Sequence, residues 1–449
     1  MNGTMSTAPP LSPKLNLQLS VMMFLQYAIW GSWLPIFFTF LTTYRNFSGE
    51  DAGSLFAGGA VGALVAPFLA GQIADRYFNT EKYLGISHIL GGVLVWQLAR
   101  IQSYWGLMGF GLLYALIYVP TLNLTNSLAF HHLPDRDRDF GKVRVWGTIG
   151  WIAVGIGVGH WLRIMHTPSG VPASEVLRAQ AQGMGDAFRL SAILGWILGI
   201  WCFMLPKTPP KKGEQKFAPL EALGQIKARP LLVLFLLTFP ISCVHQFYFV
   251  RTSGFLATLQ SGATDGIDNF FKAVFGVGGG GLMTIGQIAE IAVLAVMPIV
   301  AKRASRKTLL TVGVMAYILR FAVFAYLPFT AAVVPALALH GLCFGCFFFV
   351  AFMIVDEETT ADVRASAQGL YNLVGMGLGV IAGNYFAGKV DRWATVVDPA
   401  TGAKSTNFQI LFSIPMWICV ACLVALVLFY PSKKTGAVKT AGTEAVASA

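Results

Sequence analysis

Asn407-Phe-Gln-Ile-Leu-Phe-Ser-Ile-Pro-Met-Trp-Ile-Cys-Val-Ala-Cys-Leu-Val-Ala-Leu-Val-Leu-Phe-Tyr430 decides the fold class, because these 24 residues include no Asp, Glu, Lys or Arg. A bilayer core about 30 Å thick takes roughly 20 apolar helical residues to cross. Apolar runs of spanning length recur at 17–44, 52–74, 83–101, 104–130, 143–165, 187–206, 230–250, 276–300, 308–328, 330–355 and 364–387, giving twelve expected spans with 407–430. Composition agrees: 55% of the 449 residues are apolar and 12% charged, about half the charged share of a soluble domain. That leaves too little polar surface to cover a soluble core. Membrane β-barrels show short alternating segments instead of long unbroken runs. The expected fold class is therefore an all-α polytopic membrane protein.

The net charge of +11 would suggest a nucleic acid partner in a soluble chain. Here it reads as Lys and Arg flanking spans, and no nucleic acid is expected. Of the 32 basic residues, 20 fall on the side of the termini, ten on the opposite side, and Arg144 and Arg320 lie at or inside spans. The positive-inside bias predicts a multi-pass protein of the cytoplasmic (inner) membrane with both termini cytoplasmic. The polar start, Met1 to Lys14, lacks a signal-peptide pattern, so the first run is expected to be a permanent span. The pairs Cys343-Phe-Gly-Cys346 and Cys419-Val-Ala-Cys422 sit in apolar runs. They lack the further ligands of a zinc site or the exposed helix start of a redox pair, so no metal is expected.

The basic linker, with Thr208-Pro-Pro-Lys-Lys212, splits the spans six and six. The expected organisation is an N-terminal six-helix half at 1–206, a cytoplasmic linker at 207–229, a C-terminal half at 230–434 and a disordered tail at 435–449. Repeated halves around a midplane site are a transporter architecture. The loop Gly71-Gln-Ile-Ala-Asp-Arg76 has a degenerate counterpart at Ala301-Lys-Arg-Ala-Ser-Arg-Lys307.

Of 21 acidic residues, only Glu290 falls deep inside an expected span, in Thr284-Ile-Gly-Gln-Ile-Ala-Glu290. A charged carboxylate at mid-bilayer costs several kcal/mol, so it should face the bundle interior or a watery cavity. A carboxyl that changes protonation as the cavity opens to each side is a proton carrier; the alternative is a helix-locking Glu. Gln287 shares its helix face at i, i−3, and the pair offers donors and acceptors to a neutral ligand rich in hydroxyl and amide groups. The seventh span adds His245 and Gln246, and the first adds Gln26, Trp30, Ser32 and Trp33. Arg144, Thr148 and Trp151 fall at i, i+4, i+7. Together they could grip a polar ring compound by hydrogen bonds and stacking, or Arg144 could snorkel to the interface. The run Gly276-Val-Gly-Gly-Gly-Gly281 lacks a phosphate-loop Lys and reads as a packing or hinge feature. No ATP-driven mechanism and no cofactor are expected, which leaves an ion gradient or downhill flow.

The Gly71-x-x-Ala-Asp75-Arg76 loop resembles the signature of the major facilitator superfamily, where it gates conformational change. Along nearly its full length the chain resembles the bacterial nucleoside–proton symporter family. The resemblance rests on Leu25-Gln-Tyr-Ala-Ile-Trp-Gly-Ser-Trp-Leu34, Tyr118-Val-Pro-Thr-Leu122, Arg144-Val-Trp-Gly-Thr-Ile-Gly150, Gln287-Ile-Ala-Glu290, Ile318-Leu-Arg-Phe-Ala-Val-Phe-Ala-Tyr326 and Arg364-Ala-Ser-Ala-Gln-Gly369. It implies a major facilitator fold of two pseudo-symmetric halves, a monomer in the lipid bilayer, and proton-coupled nucleoside uptake without enzymatic chemistry. It also implies a nucleoside pocket of Arg144, Thr148, Trp151, Gln246, Gln287, Glu290, His340 and Phe344, with Glu290 coupling the proton. Two positions depart from the family pattern. Gly345 stands where an acid is expected after Phe344, and Phe249 where an asparagine is expected three residues after Gln246. The first leaves coupling to Glu290 alone. Symport of another polar solute, passive nucleoside flow, and a membrane-embedded enzyme or receptor using His245 or His340 are the competing readings.

Overall fold

The structure is a computed structural model that describes residues 9–77, 79–209, 229–262, 265–360, 363–400, 402 and 404–431, with backbone alone at 66–77, 137 and 365. Several helices start where a short polar side chain accepts a hydrogen bond from an otherwise free first-turn N–H. Ser12 accepts from Leu15 (3.3 Å), Ser103 from Gly106 (3.2 Å), Asp135 from Arg138 (3.0 Å), Ser305 from Thr308 (3.1 Å) and Asn407 from Ile410 (3.1 Å). In chain order the helices are α1 (Pro13–Tyr44), α2 (Gly49–Tyr77), α3 (Thr80–Leu98), α4 (Tyr104–His132), α5 (Arg136–Met165), α6 (Ala173–Gly183) and α7 (Gly185–Cys202). They continue as α8 (Leu231–Gly262), α9 (Gly266–Phe275), α10 (Gly280–Arg303), α11 (Arg306–Tyr326), α12 (Thr330–Glu358), α13 (Ser366–Ala394) and α14 (Phe408–Phe429). A two-stranded antiparallel ribbon, β1 (Thr395–Val397) and β2 (Lys404–Thr406), joins the last two.

Among the described residues, ten helical segments are long and apolar enough to cross a membrane, one of them α6 and α7 together. The long helices α2 and α3 accord with the expected twelve. The short helices α6 and α9 were not expected; each has one apolar face and too few residues to span. The eighth span starts at Gly280 instead of 276, because Gly276, Gly278 and Gly279 take positive φ and turn the chain first. The expected loop at Gly71, Asp75 and Arg76 is helical in its backbone, continuing α2, and these side chains lie outside the described residues. Residues 210–228 of the expected linker and the tail at 435–449 also lie outside them.

The two halves meet on the side away from the termini. There α2 lies against α13, with Gly53 opposite the Gly388 backbone and Gly49 opposite Asp391. The Ser253 hydroxyl of α8 donates to the Pro35 carbonyl of α1. Val277 N–H donates to the Gly159 carbonyl of α5 (3.0 Å), and His160 Nε2 to the Val274 carbonyl (3.2 Å). Arg251 sits over the Phe38 ring at 4.2 Å and pairs with Asp391 at 2.5 Å. On the side of the termini, the contacts Arg138–Pro9, Arg306–Glu357 and Arg364–Asp356 each stay within one half, and His132 binds Thr208 at the start of the linker.

Candidate functional site

The site is built on the termini side of a contact between α5 and α10. A Cβ at Gly155 would lie 3.1 Å from Thr284 Cγ2, so the helices touch there. From that contact toward the termini, at about 1.5 Å per residue, Trp151 lies about 6 Å along, Thr148 about 10 Å and Glu290 about 9 Å. The stripes read from the sequence therefore sit at one depth on opposing helices.

On α10, Gln287 is buried with its Oε1 unpartnered, and the Glu290 side chain is 26% exposed. Ile288 and Val296 supply the exposed face of the helix. Glu290 Oε2 lies 3.6 Å from His340 Nε2 on α12, outside hydrogen-bond range but within ion-pair reach. Arg144 on α5 lies within electrostatic reach of the same carboxyl. Its guanidinium rests 4.2 Å over the Tyr27 ring of α1, a contact worth about 0.5–2 kcal/mol.

Glycines let α12 come close to α10. Gly341 faces the backbone of Ala289 and Glu290, and a Cβ at Gly345 would lie 2.6 Å from Val293 Cγ1. Gly286 leaves room for His340, whose Cβ and Cγ would lie 3.0 and 3.2 Å from any added Cβ. The His340 ring is fully buried, stacked on Tyr248 (5.0 Å, 21°) and His245 (5.3 Å, 18°), with Phe249 edge-on at 5.4 Å. Phe249 thus packs the site wall instead of offering an amide.

The structure brings Glu290, Gln287 and His340 together, with Arg144 nearby. Phe344 joins through His245, 6.3 Å away, at the start of a π-helical turn, Phe344–Phe349. Thr148 is half-buried on the same stripe as Arg144. Trp151 turns toward the α1 seam, where a Cβ at Gly31 would lie 3.0 Å from its Cδ2. Gln246 donates to Asn384 Oδ1 on α13 at 2.8 Å, so its N–H is engaged inside the C-terminal half.

Sequence reading gave no role to Arg320 of α11. It is 0% exposed, its guanidinium lies 3.9 Å over the Tyr248 ring, and its Nη1 sits 3.1 Å from His340 Nδ1. Its Nε and Nη2 have no hydrogen-bond partner. The cost of a charge inside a span flags Arg320 as surely as Glu290. Asn384, Tyr248 and Tyr27 carried no such signal. Asp391 adds a buried carboxylate beyond the one expected, at the far end of α13 and satisfied by Arg251.

Residues 13–435 match the sequence profile of the family described as Nucleoside H+ symporter. The chain is 29% identical over 428 residues to YegT of Escherichia coli strain K12, covering 92% of each chain. It is 27% identical to the nucleoside permease NupG of the same organism, covering 84% of this chain and 88% of that one. A crystal structure of the nucleoside transporter NupG superposes with a TM-score of 0.77 at 26% identity, covering 92% of this chain and 98% of that one. The D-xylose-proton symporter structure shares the fold, with a TM-score of 0.66 at 14% identity, covering 95% of this chain and 100% of that one.

Proposed function

Because the chain belongs to the nucleoside–proton symporter family, we propose that it imports nucleosides together with protons across the cytoplasmic membrane by alternating access. It is a membrane transporter of the major facilitator fold, not an enzyme. One observation carries the reading of the site: a partly exposed carboxyl, Glu290, lies 3.6 Å from a buried histidine on its own half and within electrostatic reach of a cation on the opposing half, Arg144.

In this reading Glu290 and Gln287 meet the ribose hydroxyls. Arg144, Thr148 and Gln246 offer hydrogen bonds to the base, Trp151 and Phe344 supply its aromatic walls, and the buried His340 ring backs Glu290 instead of facing the base. Gly71, Asp75 and Arg76 belong to a gating segment. The protein works as a monomer with both termini cytoplasmic, in halves at 1–206 and 230–434 joined by the linker at 207–229. The main-chain, side-chain and ionic contacts described between the halves lie on the far side, which favours a carrier closed outward and open inward. Protonation of Glu290 from outside promotes loading, and proton loss inside resets the carrier. A ligand shifts that balance only by binding the two states unequally.

Uptake of labelled uridine into proteoliposomes tests the function. Accumulation above equilibrium with an inward proton gradient, abolished by a protonophore and competed by other nucleosides, is the expected result. Gradient-independent equilibration, or competition by sugars alone, would overturn it.

A further inference from the structure

We propose that His340 is the positioning residue for the proton-carrying carboxyl: Arg320 pins its ring in one tautomer, and the N–H fixed in this way holds ionised Glu290 on α12. The inference rests on the proton-coupled reading of Glu290.

The tautomer follows from donor and acceptor rules. A guanidinium can only donate. At 3.1 Å from Arg320 Nη1, His340 Nδ1 must therefore accept, and the ring proton sits on Nε2. A doubly protonated ring would set two N–H donors against each other. The Nε2 atom is buried with no hydrogen-bond partner, and the carboxylate oxygen 3.6 Å away belongs to Glu290. An unpaired buried donor costs about 1–3 kcal/mol, so a shift of about half an ångström by the partly exposed Glu290 removes a penalty the rigid ring cannot relieve itself. Flipping is blocked by stacking on Tyr248 and His245, by edge-on Phe249 and by the close fit at Gly286.

The hold on Glu290 therefore depends on its charge. Ionised, it is drawn onto the Nε2–H, with the Arg320 charge behind it. Protonated, it loses that hold. The titratable and charged groups around this pair are Arg144 from α5, His245 and Tyr248 from α8, Tyr317 and Arg320 from α11, and Cys343 from α12. His245 is itself engaged, with its Nδ1 2.5 Å from Tyr317 OH.

The test is the pH profile of uptake in proteoliposomes, with the outside pH varied. His340→Leu removes the N–H, and the pH of half-maximal uptake is expected to rise by about one unit, a tenfold change in proton affinity. His340→Gln keeps an oxygen for Arg320 and an N–H for Glu290, so its midpoint should stay within about 0.3 unit of wild type. A wild-type midpoint in His340→Leu, with uptake lowered equally at every pH, overturns the inference. The second measurement uses the wild-type protein: ¹⁵N NMR of labelled histidine, with the His340 signals assigned by their loss in His340→Gln. A neutral ring protonated at Nε2 is expected, and a proton on Nδ1 overturns the inference whether or not the leucine variant folds. Wild-type uptake indifferent to the proton gradient would instead sink the coupling reading and leave the tautomer result standing.

Discussion

Glu290 and Arg320 are the two charges that the bundle accepts at this depth, and it accommodates them differently. A central charge costs about 2.5–3.5 kcal/mol on insertion scales. Arg320 recovers much of that from the Tyr248 face at 3.9 Å and one nitrogen acceptor, since a desolvated cation–π contact reaches about 2 kcal/mol. Glu290 keeps about a quarter of its side chain exposed instead, 26% against 0% for Arg320. Glu290→Gln should abolish accumulation driven by a proton gradient while nucleoside exchange between preloaded vesicles and medium persists; loss of both would make Glu290 a binding group only. Arg144→Ala removes a charged hydrogen-bond donor worth about 1.5–3 kcal/mol, so calorimetry should show nucleoside affinity falling roughly ten- to a hundredfold. Both residues were legible in the sequence, one as a lone acid in a span and the other from its stripe. Arg320 was equally conspicuous, but its role was not, because its acceptor, His340, comes from another helix and no local spacing links them.

At the scale of elements, the spans were legible because an unbroken apolar run has one solution in a bilayer. The short α6 and α9 were not, since each lacks the length that marks a span, and α9 leaves Ile267, Phe270 and Val274 exposed. Close approach of α12 to α10 was also hidden, because Gly341 and Gly345 take their meaning from what lies opposite them. Gly345→Asp drives a side chain into Val293, where an added Cβ already lies 2.6 Å from Cγ1. Overpacking of this kind costs about 1–3 kcal/mol, and the buried charge adds to it. The substituted protein should lose thermal stability and uptake, and adding Val293→Ala should restore part of the stability. A Gly345→Asp protein as stable as wild type would show that the helices part easily here. The same geometry explains why an acid is not accommodated after Phe344 in this arrangement.

For the whole molecule, the series of apolar spans made the two-halved membrane fold legible, whereas the conformational state was not. Which end is closed depends on pairs such as Ser253–Pro35 and Val277–Gly159, between residues far apart in sequence. Across the far side, Glu50 faces Arg392 at 3.3 Å and Lys389 at 3.8 Å. A short cleavable thiol cross-linker between Glu50→Cys and Arg392→Cys should stop uptake, and cleavage should restore it; undiminished uptake in the cross-linked protein would mean that this end never opens. Those exposed ion pairs contribute about 0–1 kcal/mol each and weaken in salt. The firmer clasp is the glycine-rich turn before α10, where Val277 N–H donates to the Gly159 carbonyl through main-chain atoms that neither brine nor acidity can titrate. Salt and pH therefore have little grip on that shutter, and the decision to lift it is left to whatever cargo and proton sit beneath.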